Sequence, residues 1–249
     1  MTDHIRIERP GDGVLSIRLD RPEKKNAITR PMYAAMTEAL HEADRDEGVR
    51  VTVFLGREGC FSAGNDLNDF LAFAGEGTMG GEVLAFLHAL AAHRKPLVSG
   101  VDGLAIGIGT TIHLHCDLTY ASDRSRFRTP FVDLALVPEA ASSLLAPRLM
   151  GYQRAFALLA AGEEFSAEAA REAGLVHAVV PPAEVEAVTL AAAARLAAKP
   201  PGALAIARAL IRGDRADVTA RIDEEARHFA AQLKSPEARA ALEAFLVRR

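Results

Sequence analysis

Two short apolar runs, VTVFL (51–55) and PLVSGV (96–101), each lead within a few residues into a glycine-bearing turn, GCFSAGNDL (59–67) and DGLAIGIG (102–109). Such short, largely apolar runs are too brief for a buried helix and suit a strand covered on both faces, as in a parallel sheet. Residues 29–43 separate such strands with a helical pattern: Thr29 and Pro31 open it, and Met32, Met36, Leu40 and Ala43 recur at helical spacing. IRIE and VLSIRL, joined through Pro10-Gly11-Asp12-Gly13, read as a hairpin, and DLTYAS and LVHAVV as later strands between helices. The fold class expected is α/β, built from repeated strand–strand–helix units. After Pro181-Pro182 the chain is Ala-rich and helical to its last residue, broken at 199–202, 213–214 and 235–236. The division expected is a core over residues 1–195 and a helical region over 196–249 that packs on the core or on a neighbouring subunit.

Composition narrows the function classes. A formal charge of −4 argues against general nucleic-acid binding, which draws on phosphate neutralisation. No apolar run reaches the roughly 18 residues a membrane helix needs, and MTDHIRIERPGDG has no signal-peptide core, so the expectation is a cytoplasmic protein without a membrane partner. Cys60 and Cys116 make no disulfide framework and read as reduced core positions.

The turns limit the chemistry. Ser62 is no nucleophile elbow, because Cys60 stands where glycine is required. The 103–109 glycines are followed by neither Lys-Ser/Thr nor the third small residue of a dinucleotide fingerprint. His113 and His115 would point about 200° apart on a helix, so no metal is expected. What survives is a pair of turns whose backbone N–H groups can stabilise a developing oxyanion. Glu139, in TPFVDLALVPEAASS (129–143), is the candidate base beside them. A polar, Gly-rich loop at about 75–81 is expected to be mobile.

RPEKKNAI (21–28), FSAGNDL (61–67), DGLAIGIG, CDLTYAS (116–122) and PEAASS (138–143), in this order, resemble the crotonase (enoyl-CoA hydratase/isomerase) superfamily over essentially the whole chain. The resemblance implies a spiral of ββα units, assembled as a homotrimer or a dimer of trimers. It implies an acyl-CoA thioester substrate, with coenzyme A as part of that substrate and no separate cofactor. The thioester oxygen would lie between the N–H groups of Ala63 and Ile108. Lys24 and Lys25 would approach the CoA phosphates, and Asp66 and Leu67 the adenine and pantetheine; Ala27, Gly107 and Phe131 complete the expected binding set.

Where hydratases of this family carry two catalytic glutamates, this sequence has Thr111 and Phe131. What remains resembles the peroxisomal-type Δ3,Δ2-enoyl-CoA isomerases, whose single base falls at Glu139. The chain's last residues, FLVRR, lack the Ser-Lys-Leu peroxisomal address. Apolar Phe131, Leu136 and Val137 should desolvate Glu139 and raise its pKa. Two other readings stay open: a thioester hydrolase or dehalogenase using Asp133 or Glu139, and a non-catalytic acyl-CoA-binding protein.

Overall fold

The computed structural model describes residues 2–66, 68–70, 73 and 78–247, the last three by backbone alone. Its strands sort into two sheets. The larger has the order β1-β2-β3-β5-β7-β10, and the smaller β4-β6-β8-β9. The larger sheet holds β1 (Ile5–Gly11), β2 (Val14–Leu19), β3 (Val51–Leu55), β5 (Leu97–Val101), β7 (Leu118–Ser122) and β10 (Ala178–Val180). The smaller holds β4 (Cys60–Ser62), β6 (Leu104–Ile106), β8 (Arg126–Arg128) and β9 (Phe165–Ser166). Consecutive strands therefore alternate between sheets: β3 then β4, β5 then β6, β7 then β8. This is a spiral of ββα units. Apart from the β1–β2 hairpin and the β8–β9 pair, neighbours run parallel.

Every residue of β3 and β5 is buried, as their largely apolar sequences suggest, and Thr52 and Ser99 are buried with the rest. On one face of the larger sheet, Phe54 packs with the helices Arg30–Arg45 and Gly81–Ala92, through Tyr33, Met36 and Phe86. On the other, Val51, Val53 and Val98 meet Ala192 and Ala193 of the helix Val185–Ala197. That last helix also brings Val188, Leu190, Leu196 and Ala197 against this face.

Some expectations shift. Of LVHAVV only Ala178–Val180 is strand. Gly174, at φ 83°, ends the preceding helix, and the N–H groups of Leu175 and Val176 are taken by the Ala170 carbonyl. Both cysteines are free thiols, as expected, but half-buried rather than core. Residues 75–77 of the loop expected to be mobile lie outside the described residues.

Candidate active site

The loop after β2 builds one side. Lys25 and Asn26 both have left-handed φ, 50° and 52°, and Asn26 is fully buried. The Asn26 side chain accepts from the Arg21 N–H at 2.7 Å and donates to the Cys60 and Phe61 carbonyls at 3.1 Å. It thereby ties the 21–28 segment to β4.

Two glycines bring the turns together. Gly64 has φ 88°, and a Cβ there would lie 2.9 Å from the Ile106 carbonyl oxygen. A Cβ at Gly109 would lie 2.9 Å from the Ser62 carbonyl. Only hydrogen at these positions lets the 62–66 and 106–109 backbones approach this closely. A pocket of about 1100 Å³ opens beside them. Its wall includes Lys24, Lys25, Ala27, Ala63, Asp66, Gly107, Ile108 and Phe131, together with Asn65, Leu136 and Leu242. Leu67 lies outside the described residues.

The donors are arranged differently from expectation. The Ala63 N–H is given to the Lys25 carbonyl at 2.9 Å, so it does not face the pocket as a free donor. Asn65 bridges Ile28 through its neighbours: Ile28 N–H donates to Gly64 O at 2.8 Å, and Asp66 N–H to Ile28 O at 2.9 Å. In extended backbone the residue between them turns its own N–H to the opposite side. Among the described residues the Asn65 N–H has no acceptor. Ile108 opens the short helix Ile108–Thr111 after Gly107 (φ 58°), and its N–H has no intrahelical partner.

Asp66 is a structural acid in its side chain. Burial alone would push its carboxyl up, but the Arg21 guanidinium, with Nη1 at 2.7 Å, and the N–H groups of Asn68 and Asp69 hold it below the usual range. Lys24 and Lys25 are exposed at the pocket mouth.

Glu139 is only 2% exposed, and its Oε1 accepts from the Thr111 hydroxyl at 2.5 Å. Burial pushes its carboxyl up to about 8, the charge of Glu225 adds to this, and the Thr111 hydrogen bond opposes it. The carboxyl does not itself line the pocket. It is tied to Thr111, one turn along the short helix from Ile108, and Leu136, three residues before it, is in the wall. The exposed acids that do line the wall are unlike it. Asp133 is exposed and paired with Arg128 at 2.8 Å; Glu23 is exposed beside Arg21.

Glu225 lies outside every motif in the sequence, yet it is 5% exposed in the helix Ala216–Leu233 and accepts the N–H groups of Ala141 and Ser143. Its one sequence signal is a carboxylate on the buried stripe of Val218, Ile222 and Phe229. The two histidines go to separate partners: His113 to Ser99, and His115 to the Ala140 carbonyl.

A family model described as Enoyl-CoA hydratase/isomerase matches residues 9–249. Enoyl-CoA delta isomerase 2 of Rattus norvegicus is 37% identical over 218 residues, covering 86% of this chain and 56% of that protein. The chain thus spans about half the length of that relative. The 4-chlorobenzoyl coenzyme A dehalogenase-2 of an Arthrobacter species is 33% identical over 203 residues, 79% of this chain and 73% of that one. Among solved structures, that of Pseudomonas aeruginosa OdaA superposes with a TM-score of 0.93 at 41% identity, covering 98% of this chain and 99% of the other.

Proposed function

Since the chain belongs to the enoyl-CoA hydratase/isomerase family, we propose that it moves the double bond of a 3-enoyl-CoA to the 2-trans position, with Glu139 as its single base. One observation carries this reading: the buried acid beside the pocket stands alone, bonded to a threonine hydroxyl and not to a second catalytic carboxylate. Hydration needs a water held and activated between groups that give and take protons. Isomerisation relocates one proton, and one carboxyl suffices.

In this reading the thioester oxygen accepts hydrogen bonds from the N–H groups of Asn65 and Ile108. Asn65 takes the role first expected of Ala63, whose N–H is committed to Lys25. Ionised Glu139 removes a proton from C2, and the electron pair delocalises over C2–C4 and the thioester carbonyl as a dienolate. The protonated carboxyl then gives the same proton to C4, and the double bond forms between C2 and C3. An acid near 8 takes and returns a proton with little bias in either direction near neutral pH. The free donors supply the separate electrostatic stabilisation. Exposed Lys24 and Lys25 suit the CoA phosphates at the mouth, and apolar Phe131 and Leu136 suit the acyl chain and exclude water.

The dehalogenase relative keeps a second chemistry in view, attack by a carboxylate. Asp133, exposed and paired with Arg128, is poorly placed for it. Product analysis separates the two. Incubation with a medium-chain 3-enoyl-CoA yields the conjugated 2-trans-enoyl-CoA in this account. Release of free CoA from acyl-CoAs, or of halide from a haloacyl-CoA, without a shifted double bond would replace it.

A further inference from the structure

We infer that Glu225, from the C-terminal helix, is a positioning residue for the base: its carboxylate grips the backbone immediately after Glu139 and fixes the turn that carries it. The inference rests on the reading of Glu139 as the base.

The turn needs to be held. Ala140 and Ala141 both take left-handed φ, 62° and 54°, a conformation that side chains with a Cβ disfavour. The helix Ser142–Met150 begins there, and its N-cap, Ala141, has no side chain able to satisfy the orphan N–H groups. The Ser142 N–H turns back to the Glu139 carbonyl at 3.0 Å. Glu225 takes the two that flank it: Oε2 accepts Ala141 N–H at 2.6 Å and Oε1 accepts Ser143 N–H at 2.9 Å. Both oxygens accept, as those of a carboxylate do, and negative charge is favoured at a helix N-terminus. His115 fixes the remaining group, donating Nε2–H to the Ala140 carbonyl at 2.8 Å. Backbone on both sides of the strained pair is thus clamped from the helix carrying Glu225 and from the segment that follows Thr111.

The charges around the pair are few. Burial pushes the Glu225 carboxyl up, and its hydrogen bonds to Ser143 and Ala141 and the charge of Arg221 oppose this. Arg221, on the same helix, reaches Ser143 Oγ at 3.1 Å and Glu224 at 3.0 Å. Across from them are the Thr111 hydroxyl, Tyr33 and His115. Burial pushes His115 down to about 3, so it is neutral, and Arg215 donates to its Nδ1 at 3.2 Å. Burial is also the larger influence on Glu139, and the Glu225 charge adds to it in the same direction. One residue therefore has two effects on the base: it fixes the turn, and it makes the proton harder to lose.

The test is the pH profile of kcat/KM for 3-enoyl-CoA isomerisation in wild type, Glu225→Gln, Glu225→Ala and Glu139→Gln. In Glu225→Gln the charge is gone and the amide can accept only one of the two N–H groups. The acid limb should move to lower pH by about half a unit or more, and kcat on the plateau should fall about tenfold with KM little changed. Amide exchange at Ala141 and Ser143 should speed up in the same variant, a readout independent of turnover. A wild-type limb, kcat and exchange rate in Glu225→Gln would overturn the inference. If Glu139→Gln is inactive while the Glu225 variants behave as wild type, Glu225 alone loses its role. If Glu139→Gln keeps wild-type turnover, the base assignment fails and this inference with it. Should Glu225→Ala not fold, the near-isosteric glutamine variant carries the test.

Discussion

A carboxyl closed off from water holds its proton until something replaces the lost solvation, and for Glu139 that something is the Thr111 hydroxyl. Thr111→Val removes this one stabilising contact with the ionised form. The acid limb of kcat/KM, rising through about 8 in the wild type, should move to higher pH in that variant, lowering activity at pH 7. Stability carries the same signature. Folded Glu139 keeps its proton up to about 8, whereas the unfolded chain releases it from about 4.5. Below 4.5 both states are protonated and the group contributes nothing. Between the two values the unfolded state gains, so the fold loses stability as pH rises, with a slope approaching about 1.4 kcal/mol per pH unit. Glu139→Gln should therefore become progressively more stable than wild type across that window, as followed by urea unfolding at a series of pH values. The family resemblance at PEAASS points to Glu139, but its hydrogen-bond partner Thr111 lies 28 residues away in sequence and only the fold brings the two together. Glu225 could not be read from the sequence, because its partners lie more than eighty residues away and only the packing of the helix Ala216–Leu233 brings them together. The sequence shows the 59–67 turn but not which of its N–H groups faces the pocket, because that depends on the pairing of Ile28 with Asn65 and on the Ala63 N–H going to Lys25.

At the scale of elements, the site exists because two turns meet with no side chain between them. Gly64→Ala would place a methyl 2.9 Å from the Ile106 carbonyl and force alanine to φ 88°. The backbone must shift, and a displacement of order 1 Å at the donors should cost about 10²-fold in kcat/KM. A steady-state assay checks this beside circular dichroism showing the fold retained. Asn26 is the other joint. Asn26→Ala removes three hydrogen bonds within the buried 21–28 junction and should destabilise the protein by about 2–4 kcal/mol, read from the denaturant midpoint. The strands of the larger sheet are legible because residues buried on both faces are mostly apolar, and β3 and β5 depart from this only at Thr52, Ser99 and Gly100. LVHAVV misled because the same apolar run serves first as the helix exit after Gly174 and only then as strand. The sorting of consecutive strands into two sheets has no local sequence signal at all.

At the scale of the molecule, the helix Pro201–Arg212 buries none of its residues, while Ile206, Leu210 and Ile211 are 64%, 78% and 86% exposed. Apolar side chains clustered this way on one helix call for a cover. We propose that its occupant is a second copy of the chain, in a homotrimer or a dimer of trimers. Sedimentation equilibrium should then give about three or six times the 26.6 kDa chain mass. Leu210→Lys should shift the distribution toward monomer. Among the described residues no helix is long and apolar enough to cross a membrane. In the proposed reaction one buried carboxyl relocates one proton. The measurement that reaches it most directly is the rate of conjugated 2-trans-enoyl-CoA formation from a medium-chain 3-enoyl-CoA, in wild type and in Glu139→Gln, above pH 8. The account predicts turnover in the wild type and a loss of about 10²–10⁴-fold in the variant. Equal rates in the two proteins, or free CoA as the only product, would contradict it.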